Sequence, residues 1–170
     1  MPCRQTSETE CFNTQCPSFV PTRPDFPPGY VFQNVSKYGG VKFVEEFKLY
    51  KDPINKNWFL ERGKYRIGFW KSSVFKRLAD FGNYAEWGGE TYDPKNEAGP
   101  AMGFGYPEAW PTSKNAYIKI LKVVNEYQEF VDAVNTQEEV IGEGYWVTDK
   151  GNRRDKFRHW LKFGGSGQVS

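Results

Sequence analysis

The stretch Val41-Lys42-Phe43-Val44-Glu45-Glu46-Phe47-Lys48-Leu49-Tyr50-Lys51-Asp52-Pro53-Ile54-Asn55-Lys56-Asn57-Trp58-Phe59-Leu60 decides the fold class. Val41, Phe43, Phe47 and Leu49 share one parity, with Lys42, Glu46 and Lys48 on the other, which is the period of a half-buried strand. Val44 and Glu45 break the alternation and mark a bulge or a strand end. Asp52 to Asn57 has the residues of a turn, so Trp58-Phe59-Leu60 reads as the returning strand of a hairpin. Tyr65, Ile67 and Phe69 repeat the pattern. This is strand chemistry.

Outward from this hairpin the same signals recur. Pro17, Pro21, Pro24, Pro27 and Pro28 predict an extended or turning segment across the surface, not a helix or a central strand. One short helix is predicted between about residues 73 and 81: Ser72 or Ser73 can cap it, Val74, Phe75, Leu78 and Ala79 share a face, and Gly82 ends it. Residues 117–124 read as one strand buried over most of its length, with Ile118, Ile120 and Val124 on one parity and Tyr117, Lys119, Leu121 and Val123 on the other. Residues 127–134 fit strand or helix equally. Gly142 and Gly144 read as a turn before a strand at Tyr145-Trp146-Val147. The tail Gly164-Gly165-Ser166-Gly167 reads as flexible at its end.

Composition agrees. Aromatic residues make up 18% of the chain (6 Trp, 10 Tyr, 14 Phe), so flat side chains supply most of the core, and 17 Gly with 11 Pro give frequent turns. A helical bundle is disfavoured and an all-β chain favoured. Lys plus Arg is 23 against 21 Asp plus Glu, without any block of five like charges, which gives no support to a nucleic-acid surface. No stretch approaches the ~20 apolar residues of a membrane span. Residues 1–8 have no apolar signal segment, so either export is absent or the signal is missing from this chain.

Few residues offer chemistry. His159 is the single histidine and sits among Lys156, Arg158 and Trp160, which predicts a surface position. A zinc site normally recruits four ligands, so no metal is expected. Cys11 and Cys16 enclose four residues, and their spacing leaves a disulfide loop and free thiols equally open. Asn34-Val35-Ser36 is a glycosylation sequon, a tripeptide that also arises by chance. Trp87-Gly88-Gly89-Glu90-Thr91-Tyr92 is the most unusual segment. Its glycines allow a tight bend and open space beside a carboxylate, and Trp87 and Tyr92 could partly desolvate Glu90. The residue types alone favour the plainer alternative, a turn whose Glu90 faces water. Met102-Gly103-Phe104-Gly105 lacks the third glycine and the strand-to-helix setting of a phosphate loop.

Several motifs in order nevertheless resemble one family. Cys11-Phe12-Asn13-Thr14-Gln15-Cys16-Pro17-Ser18-Phe19-Val20, Asp52-Pro53 with Asn57-Trp58-Phe59-Leu60, Gly68-Phe69-Trp70-Lys71-Ser72-Ser73-Val74-Phe75, Trp87-Gly88-Gly89-Glu90, Met102-Gly103-Phe104-Gly105 and Ala116-Tyr117 are similar to the neprosin family of plant proteins. The resemblance implies a secreted, metal-free and cofactor-free glutamic peptidase that cuts after proline in acid. The implied fold is an antiparallel β-sandwich of jelly-roll or concanavalin-like type, monomeric, with peptide substrates and neither nucleic acid nor membrane as partner. It makes Glu90 one of two catalytic glutamates, Trp70, Trp87, Gly88, Gly89 and Tyr92 cleft residues, and Cys11–Cys16 a disulfide. It casts residues 1–8 as a disordered segment and 9–167 as a partial catalytic domain.

The departures from the family pattern are specific. The second glutamate of the family lies upstream of the first cysteine, and neither Glu8 nor Glu10 is in register with it. The chain thus looks like the later part of a catalytic domain, impaired on its own. Residues 148–158 lack the cysteine of a second family bridge, and Phe104 replaces a small polar residue. Two other functions fit a strand-rich chain of this composition: a non-catalytic sandwich that binds peptide or protein, and one whose aromatics stack on carbohydrate. Unreduced peptide mapping of secreted material is expected to find Cys11 linked to Cys16; recovery of both as free thiols would contradict the pairing.

Overall fold

The computed structural model describes residues 18–92, 99–106, 108 and 115–167, and these form two compact units that divide between Tyr84 and Ala85. Cys11, Cys16 and the segment 1–8 lie outside the described residues. Among the described residues every sheet is antiparallel and regular helix is limited to a 3-10 turn at Ser72–Val74. The all-β class is therefore as the alternation implied. Among the described residues no helix is long and apolar enough to cross a membrane.

The first unit holds a four-stranded sheet, β1 (Phe19–Pro21), β2 (Phe47–Lys51), β3 (Trp58–Arg62) and β4 (Tyr65–Trp70), in the order β1-β4-β3-β2. The β2–β3 turn forms because Asp52 folds back on its own backbone. Its Oδ1 accepts N–H bonds from Ile54 at 2.8 Å and Asn55 at 2.9 Å, and its carbonyl accepts that of Lys56 at 3.0 Å. Cross-strand pairing then stacks Tyr50, Phe59 and Phe69, with ring centroids 6.0 and 5.3 Å apart. On the other face Phe19 meets Trp70 edge-on at 4.6 Å. A Cβ on Gly68 would lie 2.3 Å from the Phe19 ring and 2.6 Å from the Val20 carbonyl, so glycine is what lets the edge strand β1 dock. Pro21, which has no N–H to give a central ladder, ends that edge strand.

Three expectations for this unit change. The strand begins at Phe47, not Val41, and Phe47 and Leu49 are 56% and 54% exposed, so the apolar parity of β2 faces outward. The helix near 73–81 is reduced to the 3-10 turn, and Phe75 is already extended. The segment that follows is tied to the sheet instead: Trp58 Nε1–H donates to Leu78 O at 2.9 Å, and Lys51 donates to the carbonyls of Ala79 and Asp80.

The second unit holds β5 (Ala116–Lys119), β6 (Lys122–Val124), β7 (Phe130–Asp132), β8 (Tyr145–Asn152) and β9 (His159–Gly165). β9 is central between β5 and β8, and β6 pairs with β7. Here the predicted strand 117–124 breaks at Ile120, whose φ is +61°, because the next residue turns inward. Leu121, 2% exposed, forms a core with Ala133 and Leu161, against which Trp87, Ile118, Val147 and Phe163 pack. The ambiguous segment 127–134 contains β7. The tail is not free: Gly164 and Gly165 are buried in β9, and a Cβ on Gly165 would meet the Gly144 carbonyl at 2.1 Å.

Gly68→Ala is expected to cost about 2 kcal/mol, the scale of overpacking a filled site, and to lower the urea midpoint. An unchanged midpoint would show that β1 docks without the close approach.

Candidate functional site

The segment Trp87–Tyr92 is held by its glycine. A Cβ on Gly89 would lie 2.7 Å from Met102 Sδ and 2.9 Å from the Phe163 ring, whereas Gly88 borders open space. Met102 is fixed in turn, its N–H donating to Gly165 O at 2.9 Å in an antiparallel bridge to β9. Gly103 and Gly105, with φ of +65° and +74°, turn the chain after it. From β8, Tyr145 Oη–H donates to Pro100 O at 2.9 Å and Trp146 Nε1–H to Tyr106 O at 3.0 Å. Two loops that read separately in the sequence thus lie together on the end of β9.

The predicted residues divide. Trp87, Gly88, Gly89, Glu90 and Tyr92 form one continuous segment of the second unit. Trp87 is half-buried against the core, Glu90 is exposed and Tyr92 is 81% exposed. The two aromatics therefore do not desolvate Glu90 between them: one turns to the core and the other to water. Trp70 ends β4 in the first unit, against Phe19. Asn34 is exposed, and the Ser36 hydroxyl of its sequon donates to Phe43 O at 3.2 Å and accepts the Phe43 N–H at 2.9 Å.

His159 is the residue that sequence reasoning misplaced. It is 4% exposed, not on the surface, because it opens the central strand β9, whose first four residues are buried on both faces. Nδ1 lies 2.6 Å from Ala133 O, and Nε2 lies 2.9 and 3.1 Å from the two Asp149 carboxylate oxygens. A carbonyl can only accept, so Nδ1 carries a proton; a proton on Nε2 as well makes the ring an imidazolium facing a carboxylate. Asp149 is further held by Thr136 Oγ1 and by the Gly151 N–H at 2.7 Å, while its own N–H donates to Glu138 Oε1 at 2.5 Å. Burial pushes the imidazole pKa down, but the bonds to Asp149 and Ala133 outweigh it and hold it above the ordinary value. Burial likewise pushes Asp149 up, and hydrogen bonds from Thr136, Gly151 and His159 leave it below the usual carboxylate range. Thr136 Oγ1 and Asp149 both address Nε2, so this is no nucleophile–base–orienter relay.

Among the described residues there is no group of three His, Cys, Asp or Glu that could hold a metal ion. A family model described as Neprosin matches residues 3–166. The match spans both units and includes the Trp87–Glu90 segment.

The His159–Asp149 pair sets a pH dependence. The raised imidazole contributes stability fully below its unfolded pKa of about 6.5 and loses it as pH rises through the folded value. The lowered carboxyl contributes fully above about 3.9 and loses it as pH falls through its folded value. Full strength thus lies between about pH 4 and 6.5. Asp149→Asn is expected to cost about 3 kcal/mol in urea unfolding within that window, the scale of a broken buried pair. The deficit should narrow above it; a deficit independent of pH would contradict the charged pair.

Proposed function

The chain belongs to the neprosin family, a membership that points to peptidase-type function, and from that premise we propose a glutamic peptidase domain that cuts after proline in acid. One observation supports the reading above others. The family match runs through Trp87–Glu90, a segment that presents its carboxylate at the surface on a backbone seated so closely on Met102 and Phe163 that a side chain at Gly89 would have to displace them.

Amide hydrolysis needs a water relieved of a proton and a leaving nitrogen given one. Two carboxyls can do both if they differ in protonation state, which is also why such chemistry belongs to acid solution. In this reading Glu90 is one of the pair. The open space beside Gly88 admits the substrate backbone, and the exposed Tyr92 ring offers a flat face to a proline ring. The reaction as proposed needs neither metal nor cofactor. The second glutamate has no match in residues 1–170, so the chain by itself is impaired. Export is part of the proposal, and the exposed Asn34 suits it.

The test is cleavage of a peptide containing one proline at about pH 3, where carboxyls are partly protonated. A form extended upstream to include the second glutamate should cut after proline, and Glu90→Gln should lose about 10²–10⁴-fold in rate. Undiminished cleavage by Glu90→Gln would overturn the assignment of Glu90, and robust cleavage by residues 1–170 alone would overturn the two-glutamate pairing.

A further inference from the structure

Charge is unevenly distributed in the second unit. The β8–β9 connection, Lys150-Gly151-Asn152-Arg153-Arg154-Asp155-Lys156-Phe157-Arg158, carries five cations and one carboxylate in a chain of net charge +2, so the remaining sequence is net acidic. The connection is built, not loose. Arg153 N–H donates to Arg158 O at 2.9 Å, Arg158 N–H to Asp155 O at 3.2 Å, and Phe157 N–H to Asp155 Oδ1 at 2.8 Å. Arg158 forks onto Asp132 through Nε at 3.0 Å and Nη2 at 2.6 Å, and Asn152 Nδ2 donates to the same carboxylate at 2.8 Å. Arg153, Arg154 and Lys156 are exposed, and of the five cations only Arg158 pairs with a described carboxylate. With Asp132, Asn152, Asp155 and Arg158 they line a groove of about 540 Å³.

The lining selects among polyanions. Asp132 and Asp155 interrupt the cations, so the groove offers acceptors for hydroxyl groups as well as donors for anions. The rings beside it, Phe157 and Trp160, lie against each other with centroids 5.2 Å apart, the first half-buried and the second buried, and offer no free platform for stacked bases. No apolar side chain lines the groove to enter a bilayer. Guanidinium forks beside carboxylate and amide acceptors suit a chain whose every unit carries one carboxylate and two hydroxyls. We infer that the β8–β9 connection is a binding site for a carboxylated acidic polysaccharide, a polyuronate, apart from the Glu90 segment.

The test is retention of the 170-residue protein on immobilised polygalacturonate at about pH 5, where its carboxylates are ionised. Retention that free polygalacturonate reverses and that a neutral galactan does not reproduce is the expected result. Substitution of Arg153, Arg154 and Lys156 by Ser should weaken it about tenfold or more, through loss of charge-assisted contacts. Arg153 also lies over the Trp160 ring at 5.6 Å, so Arg154→Glu with Lys156→Glu serves as a second variant that spares this contact. An unchanged thermal midpoint would show that the variants are folded. Undiminished retention of the folded double variant, equal retention on neutral galactan, or tighter binding to an RNA homopolymer or to phosphatidylserine vesicles would each overturn the inference.

Discussion

The imidazole of His159 closes a ring of hydrogen bonds around the core of the second unit. His159 O accepts the Leu121 N–H at 3.0 Å, Leu121 O accepts the Ala133 N–H at 3.0 Å, and Ala133 O accepts the proton on His159 Nδ1. Three segments distant in sequence are locked through one side chain, and Leu121, Ala133 and Leu161 pack as the core around it. The left-handed backbone at Ile120 follows, since β5 must leave β9 there for Leu121 to enter the ring. Asp149 supplies the countercharge from β8, so the ring and the β8–β9 pairing share one charged group. A buried imidazolium without that carboxylate would be unfavourable by several kcal/mol.

The consequences travel along β9 to its far end. Phe163 carries the backbone of Gly89, and Gly165 holds Met102, so the order of one strand determines where the Glu90 segment sits. The His159–Asp149 pair, at full strength between about pH 4 and 6.5, makes the stability of this arrangement dependent on pH.

Alternation and turn residues made the all-β class and the first hairpin legible. The Asp52 turn, β3, β4 and the opening of β8 fall where the pattern put them. What the pattern lacked was knowledge of neighbours. Phe47 and Leu49 share a parity, but only tertiary structure decides whether that face is covered, and here it is not. The helical spacing of Val74, Phe75, Leu78 and Ala79 is a local pattern, whereas bonds from the distant Trp58 and Lys51 fix the end of that segment on β2 and β3. His159 looked superficial beside Arg158 and Lys156, and only the burial of β9 on both faces, a tertiary fact, draws it inward. Glu90 stood out through family resemblance, since its own surroundings are those of an exposed turn. The seat of Gly89 on Met102 and Phe163 joins residues too far apart in sequence for local pattern to pair.

The most direct measurement is the proton NMR titration of His159. The chain has one histidine, so its ring carbon-bound protons give one unambiguous curve. The expected midpoint lies above the ordinary value of about 6.5 and falls in Asp149→Asn. A midpoint at or below the ordinary value, or one that Asp149→Asn leaves in place, would contradict a charged pair at the centre of this fold.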